Sequence, residues 1–202
     1  MARVVVCIPT VGGRDAMLRQ TVDAWADQLH SGIKTFWVDG YTWGEGCNRI
    51  ASLCCGGGYY TDPDYLVFAA DDCVPRPGAL KAAVDHWLTT GTIPGARFYQ
   101  DGQPLAAGFD DLPAGTATTW TRLFLLTPEV YRQVGPLLDI SWFADFDYSD
   151  RLAEAGYPIT VCDGFAFDHL DGERTWAVDG EVDRQRRVYR EACAVACRSP
   201  RS

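Results

Sequence analysis

The sequence predicts an α/β fold: a mostly parallel central sheet flanked by helices. Apolar runs of strand length alternate with helix-period segments through residues 1–90, the order that builds parallel sheets with right-handed crossovers. Acidic residues close two of those runs, Asp39 after one and the pair Asp71-Asp72 after another. In a parallel sheet all three share one edge, the carboxyl edge where open α/β sheets bind ligands.

The elements follow in order. Residues 4–8 (Val-Val-Val-Cys-Ile) are an uninterrupted apolar strand, followed by the Gly-rich loop Thr10-Val11-Gly12-Gly13-Arg14. Leu18, Val22, Trp25 and Leu29 recur at helical spacing, and Gly32 ends that helix. A second strand spans 33–38 and closes on Asp39-Gly40. Cys47, Ile50, Ala51 and Cys54 mark a helix stopped by Gly56-Gly57-Gly58. The strand over 65–70 follows the turn Thr61-Asp62-Pro63-Asp64, and Leu80, Ala83, Val84, Trp87 and Leu88 form the third helix.

The second half changes character. Residues 92–115 are rich in Gly, Pro and Asp, with short strands at most. A strand of mixed polarity spans 120–126, and Thr127-Pro128-Glu129 starts a helix that ends near Gly135. Residues 143–148 carry Asp145 and Asp147 and lead into a helix through Ala155, capped by Gly156. Strands over 159–162 and 165–167 precede Asp168-His169, and 179–197 reads as one helix. With no internal repeat and no long linker, the 202 residues form one domain with two lobes.

Composition narrows the function. A net charge of −9 gives no bulk attraction for a phosphate backbone, so general nucleic-acid binding is disfavoured. Arg184, Arg186, Arg187 and Arg190 read as a solvated helix face. No apolar run reaches the length of a membrane span, and the N-terminal run reads as a strand rather than a signal peptide. The eight cysteines form no C-x-x-C pair, which argues against structural zinc and for a reducing, cytoplasmic setting.

Two readings of the aspartate pair stand side by side. Asp71 and Asp72 are either solvated turn residues or the carboxylates of a ligand site, where burial demands a cation or another partner. The loop 9–14 precedes a helix, so it offers free backbone N–H groups and an arginine to a phosphate. Carboxylates beside a phosphate site suit Mg2+ or Mn2+, and an imidazole from His169 tilts toward Mn2+. Asp145 is a candidate general base in a cleft walled by Trp120, Trp142 and Phe143.

Five pieces in this order resemble the GT-A fold glycosyltransferases of the large family 2 type: VVVCIPTVGGR, WVDG, GCNRIAS, YLVFAADDCVPRPGAL, and the run from LFLLTPEVY through WFADFDYSDRLAEAGYPITVCDGFAFDH. The resemblance implies a GT-A, Rossmann-like fold with a small acceptor-side lobe. Residues 1–90 would bind the nucleotide sugar, 91–178 would form the acceptor and catalytic half, and 179–202 a C-terminal helix. It implies donor contacts from Pro9, Thr10, Gly13, Arg14, Asp39, Asn48 and Asp71. Asp72 matches the metal-binding aspartate of the DxD motif, His169 the histidine that completes the metal site, and Asp145 the catalytic base. Ala70 stands where the first DxD aspartate is usual, and Ala144 where a glutamate often precedes the base.

The resulting expectation is a metal-dependent, inverting transfer from a nucleotide-diphosphate sugar to an acceptor hydroxyl, with Mn2+ or Mg2+ as cofactor. The acceptor is expected to be soluble: a protein, a small molecule or a modified nucleobase, with no membrane partner. The alternatives are a sugar-phosphate nucleotidyltransferase and a catalytically degenerate nucleotide-sugar-binding protein.

Overall fold

The computed structural model describes residues 2–10, 13–28, 33–55, 63–105, 112–118, 121–170 and 180–196. The elements run β1 (Val4–Thr10), α1 (Asp15–Asp27), β2 (Ile33–Asp39), α2 (Trp43–Cys55), β3 (Tyr65–Phe68), β4 (Cys73–Pro75) and α3 (Ala79–Thr90). They continue with β5 (Ile93–Gln100), β6 (Gln103–Pro104), β7 (Ala117–Thr118), β8 (Phe124–Leu126), α4 (Pro128–Val134), α5 (Ala144–Glu154), β9 (Ile159–His169) and α6 (Glu181–Val195). Leu29, His30, Gly32 and residues 56–62 lie outside the described residues.

One sheet has the order β2-β1-β3-β8. Its first three strands are parallel, and β8 closes it antiparallel to β3. Both faces of β1 are covered. Val4, Val6 and Ile8 pack with Trp25, Val67 and Phe167 on one side, while Val5 and Cys7 meet Ile50, Phe68 and Tyr148 on the other. This double burial explains the unbroken apolar run, since a strand with solvent on one face would alternate.

A second sheet has the order β4-β9-β5-β6, with β7 also pairing β9. Four sequence expectations are corrected here. β5 is an eight-residue strand with six buried residues, inside the segment expected to hold short strands at most. Pro94 and Gly95 obscured it, because both are poor strand formers. The strand tolerates them beside a register shift between Gly95 and Arg97, and an added Cβ on Gly95 would meet the Thr160 carbonyl at 3.2 Å. The two strands expected over 159–167 are one, β9. The strand expected over 120–126 is described only as Phe124–Leu126, and Trp120 lies outside the described residues. Finally, α5 begins at Ala144, so Asp145 and Asp147 sit inside its first turn rather than ahead of it.

Between the sheets and the helices, residues 137–142 run as an irregular segment fastened to α2. Gly44 donates its N–H to the Ile140 carbonyl at 3.1 Å, and a Cβ on Gly44 would lie 1.8 Å from the Leu138 oxygen. Only glycine permits that approach. On the far side of the molecule, His86 of α3 ties to the second sheet: its Nε2 lies 3.0 Å from Thr92 Oγ1 and 2.7 Å from Thr160 Oγ1.

Burial lowers the pKa of His86. A histidine depressed in the folded state makes the unfolded chain bind more protons as pH falls, so stability drops below the unfolded value of about 6.5. Wild type should therefore lose melting temperature relative to His86→Gln between pH 7 and pH 5. Parallel melting curves over that range would overturn the assignment.

Candidate active site

The site forms where β1 and β3 end side by side. Ala69 continues the β3 line by donating to the Cys7 carbonyl at 2.9 Å, and the chain then turns through Asp71-Asp72 into β4. Asp71 is buried. Thr10 Oγ1 donates to its Oδ2 at 2.7 Å, and Arg14 Nη1 donates to its Oδ1 at 2.9 Å. Thr21 of α1 donates to its backbone carbonyl at 2.8 Å. Burial pushes the Asp71 pKa up and the neighbouring Asp72 adds to it, against the lowering pull of Thr10 and Arg14.

Asp72 faces outward. Its side chain is 20% exposed, against 6% for Asp71, and Arg14 Nη1 reaches its Oδ2 at 3.3 Å. The antiparallel pairing of Cys73 with His169 brings the end of β9 alongside, and Leu170 N–H donates to the Asp72 carbonyl at 2.8 Å. That register sets His169 Nε2 3.9 Å from Asp72 Oδ2. The neighbouring Asp168 turns away to pair with Arg76 at 2.7 Å.

The chemistry of this pair fits a divalent cation. With metal–donor lengths of about 2.1 Å, two donors about 4 Å apart can share one ion. Among the described residues no group of three or more His, Cys, Asp or Glu is arranged to hold a metal. Two protein donors suit a cation that draws its other ligands from a diphosphate and water, the usual habit of Mg2+ in nucleotide sites.

A cavity of about 650 Å³ takes in these residues and the first turn of α5. It is lined by Pro9, Arg14, Asp71, Asp72 and His169 and also by Trp142, Phe143, Asp145 and Phe146. Asp147 is not part of it: fully buried, it pairs with Arg151 Nε at 2.8 Å. Arg151 also donates to the Val134 and Pro136 carbonyls, so this acid holds the turn after α4.

Of the predicted residues, Pro9, Arg14, Asp71, Asp72, Asp145 and His169 converge on the cavity. Thr10 supports Asp71 from beneath, and Gly13 supplies a left-handed turn at φ 69° before Arg14. Asp39 lies exposed at the same sheet edge, in register with Thr10. Asn48 is turned elsewhere. Its Nδ2 donates to the Leu137 carbonyl at 2.9 Å, while its Oδ1 accepts from Leu137 N–H at 2.9 Å and from the Tyr131 hydroxyl at 3.1 Å. Burial raises the Tyr131 pKa to about 12, which keeps that hydroxyl a donor.

Among the wall residues that sequence reasoning missed are Trp43, Arg122 and Arg186. Trp43 donates its indole N–H to the Ala69 carbonyl at 2.9 Å, and Arg122 lies 5.5 Å from the Phe98 ring centre. The mixed polarity of 120–126 was the one available signal for Arg122. Arg186 is exposed, as expected of a solvated face, and its guanidinium also lies 5.6 Å from the Phe143 ring centre.

This architecture is the GT-A fold of glycosyltransferases. Mannosyltransferase PcManGT from Pyrobaculum calidifontis, solved in complex with GDP-Man and Mn2+, superposes with a TM-score of 0.68 at 13% identity, over 100% of this chain and 66% of that one. S. aureus TarS gives 0.63 at 10%, over 83% and 60%. The catalytic domain of Drosophila beta1,4galactosyltransferase 7, in complex with xylobiose, gives 0.61 at 12%, over 92% and 80%. The chain thus spans 60% of TarS and 66% of the mannosyltransferase. At such identities the likeness is one of fold. No family model matches the sequence, and no curated protein matches it significantly. Among the described residues, no helix is long and apolar enough to cross a membrane.

The geometry of Asn48 generates a test. Asn48→Ala strips buried partners from the Leu137 backbone and should cost about 2–3 kcal/mol of unfolding free energy. Urea denaturation reads it; an unchanged midpoint together with weakened nucleotide binding would restore Asn48 to the donor site.

Proposed function

We propose that this chain is a glycosyltransferase that moves a sugar from a nucleotide-diphosphate sugar to an acceptor hydroxyl, with inversion. The observation that carries the reading is one cavity lined by Arg14, Asp72 and His169 and also by Asp145. It brings a metal-competent pair and an arginine together with a separate carboxylate, the requirement for expelling a diphosphate while activating a hydroxyl. The fold's occurrence in a mannosyltransferase bound to GDP-Man and Mn2+ supports the same assignment.

The β1–α1 loop and Asp39 take the nucleotide, with Arg14 directed at its phosphates. Asp72 and His169 would hold Mn2+ or Mg2+ here. That cation supplies charge against the departing diphosphate. Asp145 accepts the acceptor's hydroxyl proton; the freed oxygen bonds to the anomeric carbon as the carbon–diphosphate bond breaks on the opposite face. Trp142, Phe143 and Phe146 give the acceptor an apolar wall to lie against. The acceptor is a soluble one: a protein, a small molecule or a modified nucleobase.

Two measurements test this. Asp145→Asn should lower turnover by about 100-fold or more while leaving the affinity for UDP or GDP unchanged. Full turnover in that variant would remove Asp145 as base, and binding without transfer in wild type would make the chain a nucleotide-sugar binder. His169→Ala should abolish the gain in nucleotide affinity that Mn2+ brings in calorimetry. A gain that persists would place the cation elsewhere.

A further inference from the structure

We propose that Gln185 of α6 is a positioning residue for Asp145, acting through the backbone of Ser141 and Trp142. The inference rests on the reading of Asp145 as base. Its starting point is an oddity at the head of α5. Phe143, the residue before the helix, has φ 69°, in the left-handed region that non-glycine residues rarely adopt. No side chain caps the helix there. Such a conformation persists only where its surroundings enforce it, and it clusters at functional sites. Here it directs the chain into the turn that carries Asp145, two residues on.

The surroundings that enforce it come from α6. Gln185 is 3% exposed. Its Oε1 accepts from Ser141 N–H at 2.9 Å and from Trp142 N–H at 2.6 Å. Its Nε2 donates to Glu181 Oε1 at 2.7 Å, which fixes the amide so that its oxygen points at the loop. One helical turn later, Tyr189 stacks on the Phe143 ring, centroids 5.7 Å apart and planes 9° from parallel. Ile140 and Ala144 pack with Tyr189 and Cys193 in a small core of their own. From the other side, Trp43 N–H donates to Ser141 Oγ at 3.1 Å. The segment leading into Asp145 is therefore held between α2 and α6. Gln185 accepts from two consecutive N–H groups in that segment.

The test uses the full chain and two readouts. Gln185→Ala should speed hydrogen exchange at the Ser141 and Trp142 amides by about tenfold, the loss of roughly one hydrogen bond each. It should lower kcat by up to about 100-fold, as a misplaced catalytic group does, with donor KM unchanged. The exchanged pair Glu181→Gln with Gln185→Glu restores the acceptor and its supporting donor, and should recover both readouts. Arg190→Ala, on the exposed side of the same helix, should move neither. If Gln185→Ala does not fold, Gln185→Asn, one methylene shorter, reads the same loss. Unchanged exchange in a folded variant, or an exchanged pair that folds without recovering kcat, overturns the proposal. Exchange is read without substrate, so a failure of the transferase reading leaves that arm intact and is told apart from a failure of the clamp.

Discussion

Asp71 ties together the three segments on which the site depends. Its carboxylate is a charge brought out of water, and an unpaired charge there would cost several kcal/mol. Thr10 fixes it to the end of β1, Arg14 to the loop that opens α1, and Thr21 binds its carbonyl to the middle of α1. Each partner is held in turn by the oxygen it satisfies. Burial still pushes the Asp71 pKa up against the pull of Thr10 and Arg14. That geometry is what leaves Asp72 facing the cavity. With Asp71 absorbing the threonine and sharing the arginine, the second carboxylate can turn outward toward His169.

The position of Ala70 acquires a meaning from this arrangement. A carboxylate there would add a third negative charge beside the pair that Arg14 spans at 2.9 and 3.3 Å. Like charges so placed raise one another's cost. Ala70 leaves the cluster with two carboxylates against that guanidinium rather than three. The chain's net charge of −9 makes the point sharper, because the cations at this edge come from individually placed arginines rather than from a basic surface.

The sequence disclosed what depends on local pattern. The alternation of strands and helices through α3, the Thr127-Pro128 helix start and the aspartates at one sheet edge are written in spacing and turn chemistry. The reading failed where long-range contacts override propensity. β5 survives Pro94 and Gly95 because β9 and a register shift accommodate them. Asn48 is expected at the donor site through the resemblance of GCNRIAS, yet its carboxamide meets Leu137, 89 residues away. The α6 arginines are exposed as a solvated face should be, while nothing local shows that Arg186 also lies over Phe143. A side chain that serves a backbone group leaves no pattern in its partner's sequence, and Asn48 is of that kind.

The residues that line the cavity are consequently held by two kinds of physics. Asp72 and His169 stand on strand ends fixed by a sheet ladder, where a displacement of Asp72 would break the Cys73–His169 pairing and the bond from Leu170. The segment that leads into Asp145 has no ladder. Residues 137–143 are irregular, and backbone groups among them are met one at a time by Asn48, Gly44 and Gln185. Buried backbone groups in irregular segments need such partners as surely as strands need neighbours. Shape at this segment is therefore set by a few groups on α2 and α6, so it can change by substitution on those helices while the sheet stays as it is.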